Sequence, residues 1–594
     1  MIRNACLCLL PTLLAGPLAA QATTERASVS TSGTQGNLDS STCSLSGDGR
    51  FVAFESNAGN LVAGDTNATT DIFVRDRASG TTERVSVDSN GVEGNWYSLA
   101  PSISADGRFV AFDSRASNLV AGDTNVKKDV FVHDRLTGIT ERVSVDSAGA
   151  EANGDSLNAA ISADGRFVAF GSEATNLAPG DTNFTRDIFV HDRQTGTTER
   201  VSISTAGAQP NQPCFNPVLS ADGRYVAFAS MASTLVLGDT TGLADVFLRD
   251  RWLGTTELVS LTSSGAQAAG NSYLPSISAD GRCVAFESTA TNFDSNDTNL
   301  TADIYLRDRQ TGITERVSVA TGGSSANSQS HSPSISADGR YVSFDSFASN
   351  LVAGDTNGDF DVFLHDRLAG TTERVSVDSA GQQGLGYSQT AQISRDGRCV
   401  VFVSEVTTLV PGDTNGRDDV FVRDLGTLVP GTDLCQAGTG SVSACPCGNP
   451  PANAPRGCDN SSATGGAQLT SSGTASLSFD SLVFATNGEK PTATSVVLQG
   501  NTEVSNGLVF GQGVRCAGGV LKRLYVQGAS GGSIQAPGLG EPSVSARSAE
   551  LGDPIGPGTN RWYAVYYRDP IVLGGCPAAS TFNVTQTQLV SWTP

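Results

Sequence analysis

Residues 101–145 read PSISADGRFVAFDSRASNLVAGDTNVKKDVFVHDRLTGITERVSV, and the same pattern occurs seven times. Its pentapeptide Ser-x-Asp-Gly-Arg begins at Ser46, Ser104, Ser162, Ser220, Ser278, Ser336 and Ser394, each 58 residues after the last. A fixed period without one insertion marks a repeat architecture. Within one copy, Pro101 to Ser104 reads as a short first strand and Ala105-Asp106-Gly107 as a tight turn, since Asp-Gly tolerates the positive φ a hairpin needs. Arg108 to Ser114 alternates as a second strand. A long loop carries Asn118 to Asn125, Asp129 to Asp134 forms a third strand, and Thr140 to Val145 a fourth. Four antiparallel strands per unit, seven times over, predict an all-β, seven-bladed β-propeller.

The ends of the repeat fit a ring. Thr23-Thr24-Glu25-Arg26 matches the fourth strand that Thr81-Thr82-Glu83-Arg84 forms 58 residues later, whereas the seventh copy stops after Asp419 to Asp424. The N-terminal strand is therefore expected to complete the last blade. The propeller is read as 23–428, behind a signal peptide at 1–22 and ahead of a C-terminal β-domain at 429–594. Arg3, the apolar run from Leu7 to Leu18 and the Ala20-Gln21-Ala22 cleavage pattern carry the leader reading. No stretch is long and apolar enough for a membrane helix. The expected location is outside the cytoplasm: secreted, periplasmic or at the cell surface.

The pattern SADGRFVAF…NLVAGDTN…DVFVHDRLTGITERVSV resembles the TolB-type, WD-like β-propeller repeat of bacterial exported proteins. That resemblance implies the fold; the family it points to includes binding platforms, peptidase accessory domains and a few lyases. Some of those lyases hold manganese with a histidine cluster. Here there are 4 histidines in 594 residues. His133, His191 and His365 alternate with Arg75, Arg249, Arg307 and Arg423, which reads as a solvent-facing strand position, and His331 falls in an inter-blade loop.

A net charge of −22 opposes nucleic-acid binding and docking on anionic lipid. It does not by itself select a cation site. The candidate constellation is the acidic pair of the long loop, with Asn two residues after the first Asp. In copy six it is Asp355, Asn357, Asp359 and Asp361; in copy seven, Asp413, Asn415 and Asp419. Oxygen ligands at that spacing suit calcium. The alternative is that Asp and Asn fold onto nearby main chain and fix the loop. No cofactor is required on either reading. The chain lacks the H-E-x-x-H, G-x-S-x-G and phosphate-loop motifs, and departures from the repeat (Thr241, Leu258, Asn296, His331) form no obvious set.

Beyond the repeat, Cys435, Cys445, Cys447, Cys458, Cys516 and Cys576 suit three disulfides in an exported domain; four thiols for zinc is the rival reading. Alternating apolar stretches predict a small β-sandwich. CPCGNPPANAPRGCDNS, GVRCAGG, YYRDP and the closing FNVTQTQLVSWTP resemble an uncharacterised C-terminal domain of bacterial exported proteins. Trp562, Tyr563, Tyr566, Tyr567 and Trp592 suit either a core or a sugar-binding face. Cys283 and Cys399 replace the aromatic that opens a second strand and are expected to be buried. Cys43 and Cys214 are placed in inter-blade loops as free thiols. The function expected is a non-enzymatic binding scaffold presenting one propeller face to a protein or glycan at the cell surface. The alternative is a propeller lyase or hydrolase acting on carbohydrate or peptide.

Overall fold

The computed structural model describes residues 22–426 throughout and, between 431 and 592, the strands and connections named below. Strand after strand follows the repeat. Blade two is Ser98–Ile103, Phe109–Ser114, Asp129–Asp134 and Ile139–Arg142. Blade one, Ser40–Leu45, Phe51–Ser56, Asp71–Asp76 and Thr81–Arg84, is built the same way. Seven such four-stranded antiparallel sheets follow one another, consistent with a β-propeller. In the seventh, Ser388–Ile393, Cys399–Ser404 and Asp419–Asp424 are joined by the N-terminal Thr23–Arg26, with Thr23 opposite Asp424 and Arg26 opposite Phe421. A circuit of main-chain bonds links neighbouring turns, from Gly47 N–H to the Ala105 carbonyl (2.8 Å) and onward to Ala337 N–H on the Arg395 carbonyl (2.9 Å). Asp396 N–H then donates to the Gly47 carbonyl (3.2 Å).

The repeated polar residues are occupied in holding this frame. Ser104 donates to Asp106 Oδ1 (2.6 Å), which also accepts the Arg108 N–H (3.0 Å). The Arg108 side chain forks onto Asp134 through Nε (2.8 Å) and Nη2 (2.7 Å). A bidentate pair of this kind is among the stronger charge-assisted contacts. Gly107 has φ +72°, and a Cβ there would lie 2.1 Å from the Phe51 ring of the preceding blade. Glycine is thus demanded twice, by conformation and by packing. Arg135 crosses to blade one, bonding Glu83 (2.5 Å) and stacking its guanidinium 4.4 Å from the Phe51 ring centroid. Between the second and third strands, Phe112 and Phe131 stack at 6.0 Å, and the other blades repeat the pair.

Three details depart from the sequence reading. The first strand begins at Ser98 and carries a bulge, with Ala100 at φ +52° and its N–H held by Glu55 Oε2 of the preceding blade (3.1 Å). His133, His191 and His365 are buried, not solvent-facing; His133 Nδ1 bonds the Thr140 hydroxyl (2.8 Å), as Arg75 Nη1 bonds Thr82 (3.1 Å). The position alternates between His and Arg because both donate to that threonine. Cys43 and Cys214 lie on first strands rather than in loops, buried and free. Burial pushes the Cys214 thiol up to about 12. Cys283 and Cys399 open second strands and are buried, as expected.

In the C-terminal region one sheet runs Gly431–Leu434, Thr587–Ser591, Asn560–Arg568, Thr494–Gly500, Lys522–Gly528, with Phe582–Val584 also on Asn560–Arg568. Gln468–Ser472, Val483–Asn487 and Gln535–Ala536 form a second, and Thr502–Phe510 pairs with Gly513–Gly518. The first two share one core, in which Leu469 and Phe484 meet Val497, Tyr563, Val565 and Trp592. Trp592 Nε1 donates to the Tyr563 hydroxyl (3.1 Å), which donates to Gln499 Oε1 (3.0 Å). Tyr563, Tyr567 and Trp592 are thus core residues, while Trp562 and Tyr566 are half-buried. A helix, Val544–Glu550, was not anticipated. The leader and the tail cysteine side chains lie outside the described residues.

Candidate functional site

The long loops and the blade-to-blade connections share one face, and there the acidic pairs meet arginines. Asp355 Oδ1 and Asp361 Oδ2 lie 3.5 and 3.4 Å from Arg374 Nη1. Gln383 Nε2 bridges the same two oxygens at 3.0 and 2.8 Å, and Ser376 donates to Asp361 Oδ1 (2.6 Å). In blade seven Arg26 Nη1 is 3.1 Å from both Asp413 Oδ1 and Asp419 Oδ2. The asparagines turn away toward the following connection: Asn357 to the Gly386 carbonyl (3.3 Å), Asn415 to the Gly36 carbonyl (2.9 Å) and to Asp419 (3.1 Å). Asp359 enters through its main-chain N–H, which donates to Asn357 Oδ1 (3.2 Å). Among the described residues, Asp65, Asp71 and Glu93 form one three-carboxylate group with ligand atoms within 4.8 Å of one another. Arg84 Nη1 sits 3.3, 3.3 and 2.8 Å from the three. In these blades a guanidinium stands between the carboxylates. It comes from the fourth strand, 13 residues beyond the second Asp in blades one and six and from the N-terminal Arg26 in blade seven, separations no loop motif covers.

Blade four breaks this rule. Leu258 replaces the arginine and Thr241 the asparagine, so two departures that look scattered in sequence meet at Asp239 and Asp245. Thr241 Oγ1 donates to Asp245 Oδ2 (3.4 Å), and Ser260 to Oδ1 (2.5 Å). Leu258, Asp239 and Gln267 line one recess. Burial, reinforced by Asp239, pushes Asp245 up to about 6 against the Ser260 bond. His331 also differs from its expected place: it lies on the first strand Ser330–Ile335, not in a loop. Its Nδ1 is 3.0 Å from Glu287 Oε2 of the preceding blade, and it faces the buried Asp345 across the strand pair.

The long loops also carry apolar tips. Val126, Phe184 and Leu300 follow the loop asparagine with φ of 56°, 55° and 56°. They are 85%, 84% and 74% exposed, and Leu237 of blade four is fully exposed. Bulky residues seldom adopt left-handed backbone. Blades four, six and seven hold Gly242, Gly358 and Gly416 at the same place. Blades two, three and five therefore present apolar side chains to solvent at a conformational cost, and Leu237 of blade four adds an exposed one without it.

No family model matches the chain, and no curated protein does either. It is similar to solved propeller structures only distantly. TolB from Acinetobacter baumannii aligns at 16% identity and a TM-score of 0.31, over 51% of this chain and 58% of TolB. An oligogalacturonate lyase in complex with manganese aligns at 14% and 0.41, over 69% and 97%. An acylaminoacyl peptidase from Pyrococcus horikoshii aligns at 13% and 0.38, over 62% and 49%. Among the described residues no helix is long and apolar enough to cross a membrane.

Proposed function

We propose that this chain is an exported, non-enzymatic binding scaffold, a closed seven-bladed propeller whose long-loop face docks a protein. The observation that carries this reading is the arc of Val126, Phe184, Leu237 and Leu300. A β-branched or aromatic residue in left-handed backbone costs about 1–2 kcal/mol, and strain of this kind collects at functional sites. Burying those side chains against a partner returns roughly 25 cal/mol per Å². A protein surface suits apolar tips better than a glycan does. The Asp and Asn loops then serve as structural turns, with arginine in the place proposed for calcium.

The test is a triple variant, Val126→Gly, Phe184→Gly and Leu300→Gly, compared with wild type in capture from envelope and extracellular fractions. Glycine removes both the side chain and the strain, so the variant is expected to melt no lower than wild type while losing the captured partner. A partner held equally by both proteins defeats the reading. So does a glycan retained in place of any protein.

A further inference from the structure

The first strands of all seven blades enclose a cavity of about 490 Å³. In a chain with net charge −22, no aspartate or glutamate lines it. Its one charged side chain is Arg395, in the position held by Gly47 in blade one and by Ala105, Ala163, Ala221, Ala279 and Ala337 in blades two to six. These seven residues lie on the main-chain circuit described above, so a side chain there reaches into the axis. Ala279 and Ala337 are buried while Ala105, Ala163 and Ala221 are half-exposed, and the former two line the cavity together with Arg395. Among the described residues the Arg395 guanidinium makes no hydrogen bond and no salt bridge. The turn carboxylates are already engaged: Asp396 accepts Ser394 Oγ (2.5 Å) and Arg398 N–H (3.0 Å), and Asp164 accepts Ser162 Oγ (2.6 Å) and Arg166 N–H (3.0 Å). Desolvation pulls the Arg395 guanidinium down to about 10, with Asp164 opposing.

Above Arg395 the wall offers neutral donors. Ser102, Ser276 and Ser334 each accept a main-chain bond from the next blade, Ile161 N–H at 3.1 Å, Ile335 N–H at 3.1 Å and Ile393 N–H at 3.2 Å. Each hydroxyl proton is thereby left for the channel. The Gln392 amide lines the same level of the cavity.

We propose that the axial channel binds a small organic oxyanion, its carboxylate or phosphate group paired with Arg395 and its hydroxyls with Ser102, Ser276, Ser334 and Gln392. A guanidinium presents its donors in a planar fork that matches either acid group. The cavity has the size of small-molecule sites, which run from about 300 to 1,000 Å³. A half-buried guanidinium without a protein partner leaves its donors free for an anion entering the channel. The site is separate from the long-loop face.

The test is calorimetric titration of the full mature chain with acetate, inorganic phosphate, D-glucuronate and D-glucose 6-phosphate, with D-glucose as the neutral control. The expected result is saturable one-to-one binding of D-glucuronate or D-glucose 6-phosphate and none of D-glucose. Preference between the two assigns the acid group. Arg395→Ala installs the residue that five other blades carry, so the variant is expected to melt like wild type while affinity falls about 10- to 100-fold. Absence of saturable binding by all four anions overturns the proposal, as does binding undiminished in Arg395→Ala.

Discussion

At the scale of single residues, the informative positions are those where one copy of the repeat differs from its six siblings, because the shared side chains are already bonded. Asp345 shares its residue type with Asp113 of blade two but is paired across the strands with His331, which no other copy has. Its carboxyl is pushed from 3.8 to about 7, by burial first, with His331, Ser332 and the Thr390 N–H opposing and Glu287 adding to the rise. A carboxyl whose folded value is raised holds its proton more tightly in the folded state. The stability it contributes is therefore greatest below about pH 4 and is lost as pH climbs through 7. His331 acts in the same direction: its bond to Glu287 raises it, so its contribution is lost as pH rises above its folded value. Wild type is expected to lose on the order of 3 kcal/mol between pH 4 and pH 8 from Asp345 alone. In Asp345→Asn that share of the loss disappears. Denaturant unfolding at pH 4.5 and pH 8 checks this, and parallel slopes for the two proteins contradict it.

At the scale of the blade, the arginine between the acidic pair behaves as an interchangeable part, and blade four shows the frame without it. Asp245, pushed up to about 6, loses its stabilising proton as pH rises through that value and then stands ionised beside Leu258. Leu258→Arg supplies the cation that Arg84, Arg142, Arg200, Arg316 and Arg374 supply elsewhere. It is expected to add about 1.5–3 kcal/mol of stability at pH 8, and much less at pH 4, where Asp245 is protonated. An equal effect at both pH values removes the charge explanation. Blade four also shows what could and could not be read from sequence. The period, the four-strand order and the Asp-Gly turns were legible because each depends on residues within one hairpin. The arginine clusters were not, because their members come from a loop and a strand with another strand between them. The bulge at Ala100 was hidden for the same reason, its N–H being held by a neighbouring blade. Arg395 belongs to no motif, and its place follows only from the seven first strands sharing one cavity. The short helix Val544–Glu550 buries only Val544 and Ser548, too few for any periodicity to announce it.

At the scale of the whole molecule, each blade packs chiefly on its two neighbours, so the closed propeller proposed above depends on its seam. The seam lies in the last blade, where the N-terminal segment supplies several parts at once. Thr23–Arg26 is that sheet's fourth strand. Thr24 Oγ1 donates to the Val377 carbonyl (2.5 Å), and Arg26 stands between Asp413 and Asp419. Ser28 donates to Asp419 Oδ1 (2.5 Å), and Ala27 is buried in a core that joins blade one to blade seven. Removing Thr23 to Ser30 strips an edge, a counter-charge and part of that core together. The propeller's melting transition is expected to fall by on the order of 10 °C, at about 2–4 °C per kcal/mol. Arg26→Leu, which copies the arrangement of blade four, separates the charge from the strand: it is expected to cost a minor part of that loss at pH 8 and less at pH 4, because burial raises Asp419. If the truncated protein melts with wild type, the N-terminal strand merely lies on blade seven and the ring holds without it. If Arg26→Leu alone reproduces the full loss, the seam is electrostatic, and the strand's hydrogen bonds contribute little.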